Sequence, residues 1–232
     1  MNGAKDLFGR ALWDYVRGQG RDMITWTSLT PPEILRTAYL FRTYDQMPGH
    51  ERMALQLARG RILDIGAGSG SHALWLQEQG ADVYAVDASR LACRTMERRG
   101  VRRRLWADVF RYKPGRRFDT LLMLMNGAGM AGRRSEGARL FELWMRLLAP
   151  GGQVLVHTSD IAYVYAAYDL AFPADSYYGD VRFYLKYGRQ CTVFDWVYWA
   201  PGDLLADARA FGFHGQTLYR DEWGDALLRF SR

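Results

Sequence analysis

The sequence predicts an α/β protein whose sheet is mostly parallel and wrapped by helices. Three observations lead there. From residue 60 onward strand and helix signals alternate. The strand candidates are short apolar runs, as expected where both faces of a sheet are covered. Glycine, proline or a capping residue separates each element from the next, giving the short connections of stacked strand–helix units.

The elements follow in order. Residues 61–66 (RILDIG) are a short buried strand, and 71–79 form a helix stopped by Gly80. DVYAVD, 82–87, is the next strand. Ser89 then caps a helix whose Leu91, Ala92, Thr95 and Met96 share one face before Gly100 ends it. VRRRLWAD leads into a third strand, and FDTLLMLMN, 118–126, is too uniformly apolar to be half exposed. After a glycine-rich loop, Leu140, Leu143, Trp144 and Leu147 mark a helix closed by Pro150-Gly151-Gly152, and GQVLVHTS is the fifth strand. Residues 201–211 read as a helix ended by Gly212, and FHGQTLY and DALLRFS as an antiparallel C-terminal pair. These elements assign 59–232 to one domain with an insertion at 159–199. Residues 1–58 are expected to form a mostly helical segment packed on that domain, broken at Pro31-Pro32 and Pro48-Gly49.

A chain of 232 residues can bury roughly 70% of the surface its unfolded form exposes, enough for a core and a pocket. Hydrophobic residues at 49% and charged residues at 24% exclude disorder. No run reaches the ~18 apolar residues of a membrane span, and the N-terminus lacks the apolar core of a signal peptide, so a cytoplasmic location with no membrane is expected. Cys93 and Cys191 are too far apart to suggest a thiolate metal site or a disulfide framework. His50, His72, His157 and His214 are scattered without ligand spacing, so no metal is expected. The net charge of +6 admits an anionic partner. The densest run, Arg98 to Arg104, should lie at the entering end of the third strand, whereas ligands of open α/β sheets bind at the carboxyl ends. A solvated face is therefore expected there, and nucleic acid is disfavoured as a partner.

The chemistry centres on LDIGAGSG, residues 63–70. A dinucleotide turn wants G-x-G-x-x-G, but here Gly66, Gly68 and Gly70 alternate and Ser71 replaces the third fingerprint glycine. Asp64 ends the strand before the turn. A carboxylate there would repel a pyrophosphate yet suits a ligand carrying an ammonium group.

Taken with the acid ending VYAVDAS, the acid of LWADVF, the strand FDTLLMLMN and LLAPGGQVLV, this turn resembles the class I S-adenosylmethionine-dependent methyltransferases. LFRTYDQMPGHERMAL and NGAGMAG further resemble a bacterial branch of that family, without pointing to an acceptor. The resemblance implies a Rossmann-like methyltransferase fold, a mostly parallel seven-stranded sheet with an antiparallel C-terminal strand, and S-adenosyl-L-methionine as cofactor. It implies that Asp64 accepts from the cofactor ammonium, unless it only braces the turn. Gly66, Ala67, Gly68 and Gly70 would let the backbone approach the ligand. Asp87, with Ala88 beside it, would accept from both ribose hydroxyls, a role that would equally serve NAD. Asp108 would bind the adenine amine and Val109 would add a backbone contact. Asn126 falls near the transferable methyl, but Gly127-Ala128-Gly129 follows it where base-specific amino-methyltransferases carry Pro-Pro-aromatic, which disfavours a DNA base as acceptor. His72 would touch the cofactor carboxylate or bond locally, and Tyr44 would close over the methionine end or pack in the core.

The expected reaction is methyl transfer to an oxygen, nitrogen or similar nucleophile of a small molecule. An RNA or protein acceptor, or a non-catalytic cofactor-binding regulator, is the alternative. The acceptor is expected beneath 159–199, where eight of the fourteen tyrosines lie. Ile161, Val164, Tyr165, Tyr168 and Phe172 follow helical spacing up to Pro173. Val181, Phe183, Leu185 and Tyr187 alternate as a strand that Gly188–Cys191 turns into TVFDWVYW. These aromatics would enclose a flat or apolar acceptor, or else form the hairpin's own core or the contact of a homodimer. Asp160 and Tyr178, with His157 behind them, are the candidates for orienting the acceptor or taking its proton.

Overall fold

The computed structural model describes residues 6–232; the first five residues of the 1–58 segment lie outside it. The chain opens with α1 (Leu7–Val16), β1 (Met23–Thr27), β2 (Glu33–Leu35), two short 3-10 turns and α2 (Gly49–Leu57). The alternating region follows as β3 (Arg61–Ile65), α3 (Ser71–Glu78), β4 (Asp82–Asp87), α4 (Arg90–Arg98), β5 (Arg104–Trp106), β6 (Phe118–Met123), α5 (Ala138–Leu147) and β7 (Leu148–Ser159). The insertion holds α6 (Ala162–Ala167), β8 (Asp180–Tyr187) and β9 (Gln190–Val197), and α7 (Pro201–Ala210), β10 (His214–Arg220) and β11 (Asp225–Ser231) close the chain.

Seven strands form the main sheet in the order β5-β4-β3-β6-β7-β11-β10. β11 runs antiparallel to both neighbours and the other pairings are parallel. This is the predicted Rossmann-like architecture. The order reverses between β3 and β6, which opens a crevice at their carboxyl ends, where α/β sheets bind ligands.

The local chemistry explains the elements. Ser89 caps α4 as expected, accepting from the Ala92 amide at 2.9 Å. In α5 the predicted face, Leu140, Leu143, Trp144 and Leu147, is fully buried against one side of the sheet with Met123, Val154, Val156 and Phe230. The opposite side packs Ile62, Leu122, Leu155 and Leu227 under α2 and α3, where Ala54, Leu55, Ala73 and Leu76 are buried. Strand alternation therefore turns Asp64 and His157, in step with Ile62 and Leu155, toward α2.

The structure alters three expectations. The N-terminal segment, described over 6–58, is not helical alone. MITWT and EIL are strands, and they join the insertion hairpin in a second, antiparallel sheet of order β2-β1-β8-β9. Pro31-Pro32 breaks the chain between two strands rather than two helices, because β-branched and aromatic side chains of β1 find partners on β8. Trp26 stacks on Tyr184 with ring centroids 5.1 Å apart. The arginine run also departs in one place. Arg103 pairs with Asp82 and Arg104 with Glu97, but Arg99 reaches back to the glycine turn, donating to the Ser69 carbonyl at 2.7 Å and the Ser71 hydroxyl at 3.0 Å. α4 is only nine residues, so a long side chain at its end spans back along the neighbouring helix start. The helix expected up to Pro173 is also shorter, ending at Ala167 where Asp169 takes φ 50°.

Candidate active site

The glycine turn is built as its residues require. Gly66, Gly68 and Gly70 adopt φ of 73°, 54° and 81°, a region that disfavours side chains. At Gly70 a Cβ would also lie 2.8 Å from Val101 and 2.9 Å from Met96. The Gly66 and Ala67 amides donate to the Val86 carbonyl, and the Gly68 amide donates to Asp87 Oδ2 at 2.9 Å. Asp87 Oδ1 accepts from the Ser89 amide at 2.8 Å. Burial pushes the Asp87 carboxyl up to about 6, with these two amides opposing the rise.

Asp64 is 2% exposed, and its Oδ2 is buried with no hydrogen-bond partner. Burial raises its pKa. An orphaned carboxylate oxygen costs roughly 1–3 kcal/mol, and a ligand ammonium would satisfy it. Further along the crevice the Ala88 carbonyl accepts from Trp106 Nε1 at 3.1 Å. Asp108 is largely exposed and accepts from the Phe110 amide at 3.0 Å, and Val109 is buried with its carbonyl taken by Arg146. The donor and acceptor set of the turn, Asp64 and Asp87 fits an adenosine ligand with an amino-acid tail.

α2 lays a polar layer over the same edge. Glu51, 1% exposed, bonds Arg42 through Oε1 and His72 Nε2 through Oε2 at 2.9 Å. Burial raises the Glu51 carboxyl, but His72 and Arg42 outweigh it and hold the group below its ordinary value. His72 thus bonds locally. Tyr44 stacks on Trp75 at 4.4 Å and its hydroxyl accepts from Gln56 at 2.7 Å, a packing role on the outer side of α3.

The neighbouring residue, His50, stacks flat on His157, with centroids 4.1 Å apart and planes within 4°. His157 Nδ1 accepts from the Asn126 amide at 3.0 Å, so a neutral ring carries its proton on Nε2, which faces Asp225 Oδ1 at 3.3 Å. Its strand is buried, as expected, and neither ring nitrogen is free to take a proton from an acceptor. Asn126 Nδ2 donates to the Ser159 hydroxyl at 2.9 Å, and Ser159 donates on to Asp225. This clamp holds a strained turn, since Met125 and Asn126 take consecutive φ values of 54° and 59°. His50, His157 and Asp225 each place a potential ligand atom within 4.8 Å of the others. Metal-binding histidines donate their second nitrogen, whereas His157 accepts there, and two parallel rings cannot aim lone pairs at one ion. The cluster does not fit a metal.

The insertion is fastened over this edge. A Cβ on Gly129 would lie 2.2 Å from the Trp196 indole, so the loop after β6 and the hairpin interlock only because residue 129 is glycine. Tyr178 donates to Asp160 Oδ1 at 2.7 Å, bringing two predicted residues together. Burial raises the Tyr178 phenol well above its ordinary value, with Asp160 adding to it, so it acts as a donor. Tyr177, its neighbour, accepts from the Ala200 amide and bonds Asp203, fixing the loop.

Sequence reasoning missed His50, Glu51, Arg42, Ser159 and Asp225. The only signal for the first three was a run of charged and polar residues beside apolar positions in LFRTYDQMPGHERMAL.

The family profile described as a methyltransferase domain matches residues 38–214. A crystal structure of an S-adenosylmethionine-dependent methyltransferase from Bacteroides fragilis, complexed with S-adenosyl-L-homocysteine, is 35% identical. That likeness covers 100% of this chain and 96% of that one with a TM-score of 0.89. The CcbJ methyltransferase of Streptomyces caelestis shares the fold at 16% identity, covering 81% of this chain and 97% of its own, TM-score 0.63. The sugar N-methyltransferase KedS8 from a Streptoalloteichus species does so at 20% identity, covering 78% and 83%, TM-score 0.53. No curated protein matches the sequence. With the strand order, the glycine turn and its acids, these likenesses show that the chain belongs to the methyltransferase-domain family and is a class I enzyme that uses S-adenosylmethionine.

Proposed function

We propose that this enzyme methylates a nucleophilic atom of a small molecule. The observation that carries the reading is the aromatic insertion locked onto the loop after β6 through Trp196 and Gly129. It is fixed at that point to the carboxyl edge of the sheet, and a wall there favours a small acceptor over a polymer, which needs an open groove. The basic run supports the same reading, since Arg103 and Arg104 are engaged with Asp82 and Glu97 rather than arrayed for phosphates.

Asp64 receives the cofactor ammonium and Asp87 the ribose hydroxyls, while the backbone of Gly66, Ala67, Gly68 and Gly70 lines the approach. Ala88, Asp108 and Val109 flank the adenine, and Asn126 faces the methyl. His72 acts through Glu51, and Tyr44 supports α3. Bound there, the cofactor supplies an already activated sulfonium methyl. The protein's own task is alignment of acceptor, carbon and sulfur, so proximity and orientation supply most of the acceleration. Asp160, hydrogen-bonded by Tyr178 at the end of β7, orients the acceptor.

Incubation with methyl-labelled cofactor and a fractionated cell extract tests this. Label should enter molecules below about 1 kDa, the size range of ligands that clefts enclose. Label confined to RNA or protein would overturn the small-molecule reading.

A further inference from the structure

Deep at the carboxyl edge, beside the cofactor crevice, His50 and His157, both about 95% buried, form a polar cluster with Asn126. Ser159 and Asp225 stand at its edge, and Asp225 keeps 35% of its side chain exposed. Three of the cluster's atoms, His50 Nδ1, Asn126 Oδ1 and His157 Nε2, are buried without a hydrogen-bond partner, the last facing Asp225 Oδ1 at 3.3 Å. The fold does not need His50 to be polar: α2 would pack on β7 and β11 as well with an apolar residue at 50. An orphaned amide oxygen next to a reacting centre calls for a ligand that brings its own hydrogens.

The charge of the cluster says which ligand. The His157 imidazole, with help from the Ser159 hydroxyl and against burial, holds Asp225 down at about 2, so it is an anion at any working pH. Burial and the neighbouring His157 push His50 down to about 4. The charged and titratable groups around His50 are Glu51 on its own helix, His157 from β7, Asp225 at the start of β11, Asp221 before it and Tyr219 from β10. One carboxylate, the Asn126 amide oxygen and the His50 imidazole that burial keeps uncharged give the cluster an anionic rim with acceptors behind it.

We propose that this cluster lines the acceptor subsite and that its acceptor is a small amine, so that the enzyme forms a carbon–nitrogen bond. The proposal rests on the small-molecule reading above and names its substrate class. Asp225 draws the ammonium form to the rim. There the amine loses one proton to bulk water, and its remaining N–H groups donate to Asn126 Oδ1 and to His50 Nδ1, whose ring then carries its proton on Nε2, turning the nitrogen lone pair toward the cofactor. The nitrogen–carbon bond forms as the carbon–sulfur bond breaks, the bonding pair leaves with the now neutral sulfur, and the product departs as an N-methylammonium ion. A hydroxyl of the same shape carries one hydrogen and no charge, and satisfies this set less well.

The test has two readouts. With S-adenosyl-L-homocysteine present, histidine ring signals in the NMR spectrum are followed during titration with benzylamine, tryptamine and glucosamine, each against its hydroxyl counterpart. The expected result is that at least one amine moves the His50 and His157 signals and binds tenfold or more tighter than its hydroxyl counterpart, and that Asp225→Asn removes the preference. Equal binding of both members in every pair, signals that stay still throughout, or a preference unchanged in Asp225→Asn would overturn it. In the extract experiment, mass spectrometry of the labelled product should show an N-methyl group. An O-methyl or C-methyl small molecule would sink the amine assignment and leave the small-molecule reading standing, and label only in polymers would sink that reading first.

Discussion

Glu51→Gln is the sharpest perturbation of the polar layer under α2. Glutamine keeps the shape of the side chain and both hydrogen bonds, its oxygen accepting from Arg42 and its amide donating to the His72 ring. What disappears is the negative charge. Arg42 and Glu51 side chains are only 4% and 2% exposed, so the guanidinium would be left buried with a carbonyl and the Tyr39 ring, 4.2 Å away, as its compensation. Removing one partner of such a pair costs about 3–5 kcal/mol. For a chain of this size that corresponds to a fall of roughly 6–20 °C in melting temperature. Thermal unfolding followed by circular dichroism, without ligand at pH 7.5, measures it. The double variant Arg42→Met/Glu51→Gln removes the stranded charge and should recover at least half of the loss, because replacing a whole buried pair is often neutral. A single variant that melts within about 2 °C of the parent, below 1 kcal/mol on this scale, would refute the claim that the pair is both buried and charge-compensated.

Four further outcomes follow from the site. Asp87 accepts ligand hydroxyls as a carboxylate and is protonated in the free protein below about 6, so cofactor affinity measured by calorimetry should be flat above that pH and fall about tenfold per unit beneath it; affinity independent of pH down to 5 would remove Asp87 from the contact. Asp87→Ala should weaken binding by roughly 1–3 kcal/mol. Gly129→Ala forces a methyl into the Trp196 indole and should cost about 1–3 kcal/mol in urea unfolding, whereas a neutral result would mean that the insertion is not locked to the loop. Asp160→Asn and Tyr178→Phe should lower turnover of an identified acceptor while cofactor affinity stays within about twofold, less than 0.5 kcal/mol; unchanged turnover in both would take the pair out of acceptor positioning.

The legibility of this protein in its sequence divides along physical lines. The main sheet could be read because each strand is bounded by strong local signals, such as the Ser89 cap and the glycine closing α4, and because strands buried on both faces are unmistakably apolar. The glycine turn and Asp64 and Asp87 were legible because one backbone geometry demands those residues at that spacing. The second sheet was not, since β1 and β2 are five and three residues long and are stabilised by pairing with β8, far away in the chain. The cluster of His50, His157 and Asp225 was hidden for the same reason. Its members sit on a helix start, a strand end and a strand start, and only the fold makes them neighbours. Arg99 shows the converse limit, in that a charge run reads as surface even when one member turns inward.

The account's central claim is that the carboxyl edge around Asp64, Asp87 and Asn126 is where methyl transfer occurs. A crystal structure of this protein with S-adenosyl-L-homocysteine tests it most directly. The account predicts the ribose hydroxyls within hydrogen-bond distance of Asp87, the ammonium satisfying Asp64 Oδ2, and the sulfur directed at Asn126 and the His50 cluster. A ligand whose ribose is held away from Asp87, or whose sulfur points away from Asn126, would contradict it.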